Sequence, residues 1–162
     1  RTGKAKYFGK EDIDRNYAVF NATCALPAVF PAVKIAGGRY YDGGLSNPIP
    51  VDKCLEDGND KMLIVLTQPE GYKKECLPKD RHIARLIRHK YPAVADRILH
   101  RYKKYNSSLE TCQKLESEGR AVILRPPCKL ESLESDVNKL KQTYKQGYNL
   151  ATKRLDEIKA LF

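Results

Sequence analysis

The short run GGRYYDGGLSNPIPV, Gly37 to Val51, holds the residue types best suited to chemistry. Asp42 follows a strand-like segment and is itself followed by Gly43 and Gly44. An acid just beyond a strand stands where α/β folds place ligands and reactive groups. The paired glycines let the backbone turn sharply and let a substrate or another loop approach closely. Pro48 and Pro50 then stiffen the exit by fixing φ. The same residues also spell an ordinary turn, because Asp-Gly is a common turn dipeptide and Asp hydrogen-bonds its own turn backbone. Catalytic acid and turn cap both fit the residues alone.

A second cluster lies between Arg81 and Lys104. It holds all three histidines, His82, His89 and His100, among Arg85, Arg88, Lys90, Arg97, Arg101, Lys103 and Lys104. His82 and His89 share roughly one helical face, but only Asp80 and Asp96 are near enough in sequence to complete a ligand set. No metal site is expected there. A solvated basic face is the plain reading, and docking on an anionic membrane is the sharper one. Each Lys or Arg near such a surface contributes about 1 kcal/mol. Nucleic acid is the rival partner, with Tyr91, Tyr102 and Tyr105 interleaved among the bases. Those tyrosines fit a buried helical stripe better than a stacking platform, and no nucleic-acid-binding motif is present.

The chain has 162 residues and a formal net charge of +10, enough length for one domain with its own core and a bias toward anionic partners. No apolar run approaches the roughly 18 residues that span a bilayer. The five cysteines, Cys24, Cys54, Cys76, Cys112 and Cys128, are odd in number and widely spaced. They read as reduced thiols of a cytoplasmic protein, with Cys24 and Cys112 on apolar helical faces. No cofactor is expected.

Several elements must position Asp42. Asp12 or Asp14 caps a helix through Ile13, Tyr17, Val19 and Phe20 that ends near Leu26, before Pro27. Val33–Ile35 and Arg39–Tyr41 form a hairpin around Ala36-Gly37-Gly38. A short helix fits Val51–Glu56 and stops at Gly58. Lys61–Thr67 reads as a strand buried on both faces. Helical periodicity follows: Ile83, Leu86 and Ile87 in one helix, then Val94 through Leu115 in a longer one. A strand at Ala121–Leu124 precedes a last stripe through Val137, Leu140, Tyr144, Tyr148, Ala151, Leu155, Ile158 and Phe162. Gly147 inside that stripe suggests close packing.

The run from Ala22 to Val51 resembles the second catalytic block of the patatin-like phospholipases. The resemblance rests on Ala25, Pro27, Phe30-Pro31, Asp42-Gly43-Gly44 and Asn47-Pro48-Ile49-Pro50, in that order. Thr2–Phe8 and Leu55–Tyr72 are similar to the bacterial cytoplasmic branch, as are YNSSLE and YKQGY further on. The resemblance implies a serine acyl hydrolase that uses a Ser–Asp dyad without histidine. It makes Asp42 the general base, with Gly43 and Gly44 as structural support. It also implies a nucleophile in Gly-x-Ser-x-Gly, and that motif does not occur in the sequence. The nearest run, GLSNP, has Pro in the last Gly position and follows Asp42, so Ser46 is not the nucleophile.

The expectation is an α/β chain: a partial patatin-like sheet, made of a hairpin plus buried strands, with a mostly helical C-terminal region. Residues 1–72 would be the C-terminal part of a patatin-like catalytic domain. Residues 73–162 would be a helical extension carrying the strand near 121–124. The expected substrate is a lipid or other carboxylic ester, hydrolysed only together with a missing N-terminal part of the same protein. Further expected partners are an anionic membrane, met peripherally, and a second copy paired through an open sheet edge. The alternatives are a catalytically silent scaffold and a basic membrane- or nucleic-acid-binding module.

Overall fold

A computed structural model describes residues 2–131 and 134–162; Arg1, Ser132 and Leu133 lie outside the described residues. The chain is mixed α/β, with two small sheets of two strands each among much helix. Its segments sort into two compact units, Arg1–Pro50 with Lys74–Ser108, and Val51–Lys73 with Leu109–Phe162.

In the first unit, α1 (Ala18–Thr23) starts six residues after Asp12. Asp12 instead accepts a bond from the Gly9 N–H, 2.8 Å, in a preceding turn. Asp14 is the residue that organises the helix start: its Oδ1 accepts from the N–H groups of Asn16 and Ala18, both at 3.1 Å. The predicted helix thus begins later and ends sooner than its apolar spacing suggested, leaving Ile13 extended and Cys24 exposed at the C-cap. The hairpin forms as expected, shifted by one residue: β1 (Val33–Ile35) pairs antiparallel with β2 (Gly38–Tyr40), Val33 opposite Tyr40. Ala36 and Gly37 turn it with φ of 45° and 77°, the doubly left-handed geometry that matches strand twist.

Two helical segments complete this unit: α3 (Pro78–Ile87) and the first part of α4 (Pro92–Ser117). Buried Leu45, Ala84, Ala95 and Ile98 form the core, with Tyr41, Ile83 and Ile87 packed against it. Leu86 does not join them and is exposed, because the helix turns that position outward. Asp80 and Arg101 join α3 to α4 through a 2.8 Å ion pair.

The second unit holds α2 (Val51–Glu56), β3 (Met62–Val65), the rest of α4, β4 (Ala121–Leu124), α5 (Val137–Lys153) and α6 (Leu155–Leu161). The two strands pair in parallel, from Met62 opposite Ala121 to Val65 opposite Leu124. Every residue of β4 is buried. The expected double cover of β3 is corrected, since Leu63 is 42% and Val65 68% exposed. An apolar run marks a strand suited to burial but cannot specify the element that would cover it. Cys112 lies fully buried in this unit, and burial pushes its thiol up to about 11.

The last stripe is two helices rather than one, broken at Arg154. The Arg154 guanidinium donates to the Ile123 carbonyl at 2.6 Å and to Glu157 at 2.7 and 2.5 Å, anchoring the joint to β4. Leu161 is buried with Val122 and Leu124, and Leu150, Ala151 and Ile158 pack against them. Val137, Leu140, Tyr144 and Tyr148 are exposed, and Gly147 faces open space rather than a close neighbour. Among the described residues no helix is long and apolar enough to cross a membrane.

Candidate functional site

Asp42 is set by what its neighbours do. The hairpin delivers the chain to Tyr41, which packs on the core of the first unit and meets Tyr91 edge-on at 5.8 Å. Burial, then the neighbouring Tyr91, push the Tyr41 hydroxyl pKa upward, so it stays a neutral hydrogen-bonding group. Three residues beyond Asp42, Leu45 is buried in the same core. Between these anchors the Asp42 N–H donates to the Ala25 carbonyl at 3.0 Å, tying the segment to the chain that follows α1. A half-buried acid is thereby held at a fixed place between two packed residues.

The carboxylate itself makes one bond. Asp42 Oδ1 accepts from the Gly44 N–H at 2.7 Å and caps a short 3₁₀ turn, Gly43–Leu45. Its other oxygen, Oδ2, meets no donor among the described residues. Asp42 therefore caps its turn with one oxygen and leaves the other available.

The two glycines are not equivalent. Neither adopts a positive φ, so backbone freedom is not what either supplies. A Cβ on Gly44 would stand 3.0 Å from Asp42 Oδ1, whereas one on Gly43 would meet only Thr23 Oγ1 at 3.4 Å. Gly44 is needed so that its amide can approach the carboxylate.

Asp42 lies on the wall of a cavity of about 590 Å³ within the first unit. This is the size of a small-ligand pocket. Gly3 also lines it, with its carbonyl accepting from Ser46 Oγ at 3.0 Å and from Arg97 Nε at 2.9 Å. Asn47 Nδ2 donates to the Tyr7 hydroxyl at 2.6 Å. The N-terminal segment thus closes over the Asp42 turn. Ser46 is bonded to Gly3.

Sequence reasoning found Asp42, Gly43 and Gly44 but missed Lys4 and Arg97 as cavity residues. Arg97 and Gly3 are 94 positions apart, and no local pattern announces their meeting. The histidines are exposed, and no grouping of His, Cys, Asp and Glu among the described residues could hold a metal ion.

The arrangement defines a class first: a hairpin that presents one acid, on a fixed turn, to a small cavity. The comparison with known families then attaches a name to that segment. Residues 7–55 match the family described as patatin-like phospholipase, a span that includes the hairpin and Asp42. Residues 91–162 match a domain of unknown function, DUF6363. Comparisons with curated proteins and with solved structures give no match. The patatin-like match is confined to the N-terminal part of the chain, the part that carries Asp42.

Proposed function

We propose that Asp42 is the acid of a Ser–Asp dyad in a patatin-like acyl hydrolase that cleaves lipid or other carboxylic esters. The observation that carries this reading is the free Oδ2 of a rigidly held carboxylate on a cavity wall, inside the segment similar to patatin-like phospholipases. In the reaction the serine hydroxyl gives its proton to Asp42 as its oxygen attacks the ester carbonyl carbon. Protonated Asp42 then returns that proton to the departing alkoxide, leaving an acyl-serine. Water, deprotonated in the same way, releases the acid and restores the serine. Gly44 supports the geometry by letting its amide hold Oδ1.

The nucleophile belongs to a Gly-x-Ser-x-Gly segment outside these 162 residues, and the chain alone is inactive. Incubation with a short-chain p-nitrophenyl ester and a fluorophosphonate probe tests this directly. The expected result is turnover no higher than a boiled control and no labelled serine. Specific labelling of a serine within the chain, with turnover, overturns the division of labour.

A second observation favours peripheral contact of a cytoplasmic protein with anionic membranes. Arg81, Arg85, Arg88 and Lys90 are exposed around an exposed Leu86. Binding to anionic vesicles should exceed binding to neutral ones and weaken with salt. Equal binding to both reduces this face to a solvated one. The outer edge of β3, unpaired among the described residues, is where a strand from the rest of the protein or from a second copy would add.

A further inference from the structure

Helix α5, 17 residues from Val137 to Lys153, contains lysines at positions 139, 141, 145 and 153 and no acid. It lies within the stretch matched to DUF6363 and outside the patatin-like match. From Val137 to Asn149 only Thr143 is part-buried. Yet this exposed segment carries large apolar side chains: Val137, Leu140, Tyr144 and Tyr148 stand between 48% and 75% exposed. A contiguous apolar face left in water marks an interaction surface.

At 3.6 residues per turn these four side chains share one face, within an arc of roughly 80°. Lys141 and Lys145 run along one edge of it, and neither forms an ion pair among the described residues. Lys139 points to the opposite side, 3.2 Å from Glu134. The neighbouring acids are engaged by the chain itself, Asp136 with the Asn138 and Lys139 amides and Glu157 with Arg154. Tyr144 and Tyr148 stack with ring centroids 6.4 Å apart. At its C-terminal end the helix is anchored, where Leu150 and Ala151 pack against Val122, Leu124 and Leu161. The turns before that anchor hold the stripe out to solvent.

We propose that this face of α5 docks on an anionic lipid surface. Leu140, Tyr144 and Tyr148 enter the headgroup boundary, and Lys141 and Lys145 reach the anionic headgroups beside them. A tyrosine suits that depth because its ring is apolar and its tip is polar, and a lysine because its stem lies along apolar surface while its ammonium stays in water. A second copy fits less well, because the same helix would bring more lysine and no acid to the edge of the seam. A polynucleotide would use the lysines but leave the aliphatic residues in water. The basic face of α3 is a separate surface in the other compact unit, so the inference stands apart from it and from any hydrolysis.

Vesicle sedimentation of the 162-residue chain tests the proposal, with phosphatidylcholine vesicles set against vesicles of phosphatidylcholine and phosphatidylglycerol. The anionic vesicles should bind about tenfold more tightly or better, and less so with added salt. Lys141→Gln with Lys145→Gln should weaken that binding about tenfold or more, and so should Leu140→Ser with Tyr144→Ser. Lys153→Gln removes a charge from the far side of the helix and should change binding less than about twofold. The chain has no tryptophan, so Tyr144→Trp supplies a lone reporter that keeps every charge. Its emission should shift to the blue on anionic vesicles and stay put on neutral ones.

Circular dichroism checks that each variant keeps its fold. Arg85→Gln with Arg88→Gln separates the two membrane surfaces. Binding that is lost with this pair but kept with both α5 pairs overturns the α5 proposal and leaves the α3 face standing. Equal binding to both vesicle types, an unshifted Tyr144→Trp emission, or tighter binding of a single-stranded oligonucleotide also overturns it. So does self-association that Tyr144→Ser abolishes in a chain that binds no vesicles, which assigns the face to a second copy.

Discussion

Asp42 and Asp80 are both acids that bond a backbone N–H beside a helical turn in the same compact unit, and the contrast between them lies in how much of each carboxylate the protein itself uses. Asp80 is buried, with Oδ1 accepting from Arg101 at 2.8 Å and Oδ2 accepting from the Leu77 N–H at 3.0 Å. Both its oxygens are committed to the protein. Asp42 gives Oδ1 to the Gly44 amide and keeps Oδ2 toward a cavity. Residue type is the same at the two positions, although Asp42 precedes its turn as the N-cap and Asp80 is the third residue of α3. The disposition of the second oxygen is what differs, and it is the part that chemistry needs.

The largest expected effect breaks the comparison at its reactive end. Asp42→Asn keeps the shape and an oxygen for the Gly44 amide but removes the proton acceptor. In the serine-bearing protein, turnover on a short-chain ester should fall about 10²–10⁴-fold. Thermal stability should stay within about 0.5 kcal/mol of the parent. Turnover above half the parental value in a normally folded variant would return Asp42 to the role of turn cap.

Asp80→Ala is the mirror experiment. It strips the α3 start of its cap and leaves Arg101 facing a gap between helices. Breaking a buried pair on one side costs about 3–5 kcal/mol, but the Arg101 side chain is 24% exposed and recovers part of its hydration. A loss of about 2–4 kcal/mol is expected in urea unfolding. A stable Asp80→Ala chain would show that the pair contributes little to holding α3 on α4.

A smaller effect sharpens the account of the Asp42 turn. Gly44→Ala places a methyl 3.0 Å from Asp42 Oδ1 and must displace the carboxylate or lengthen its bond to the amide. Misplacing a catalytic group in this way should lower turnover about tenfold or more. Gly43→Ala meets only Thr23 at 3.4 Å, an ordinary contact, and should change turnover less than twofold. Equal losses from the two variants would mean that the site needs open space beside both glycines rather than an amide close to the carboxylate.

Much of this was legible in the sequence, and the reasons differ from element to element. The hairpin showed because the glycines of Ala36-Gly37-Gly38 tolerate a tight turn between β-branched and aromatic residues, although the turn itself uses Ala36 and Gly37, with Gly38 in β2. The limits of α2 and β4 showed because Pro50 and Gly58 bracket the first and Gly119 and Pro126 the second. Asp42 showed through its glycines. The cations of the cavity did not, because Arg97 reaches the site from a helix far along the chain and only folding brings it to Gly3. The cover of β3 was misread for a related reason: apolar residues report that burial suits them, and the covering layer is a property of other segments. The start of α1 was misplaced because Asp12 and Asp14 are both good caps, and the choice between them falls to hydrogen bonds to Gly9 on one side and Ala18 on the other.

The smallest expected effect applies the same test to apolar side chains, asking whether the protein itself makes use of each one. Leu161 is buried against Val122 and Leu124, whereas Tyr144 on α5 is 75% exposed, with the Tyr148 ring stacked at 6.4 Å. Periodicity placed Tyr144 on the apolar stripe and ended that stripe at Phe162, which is exposed, rather than at Leu161, so spacing alone did not pick out the buried residue. Truncating a buried leucine to alanine costs about 2–5 kcal/mol, because transfer free energy and packing are lost together. Tyr144→Ser removes a side chain that water already surrounds, and its cost in urea unfolding should stay below about 0.5 kcal/mol. A loss above about 1 kcal/mol that grows with protein concentration would show that a second copy covers this face in solution. The same loss at every concentration would mean that α5 is held by its own chain more tightly than its exposure implies.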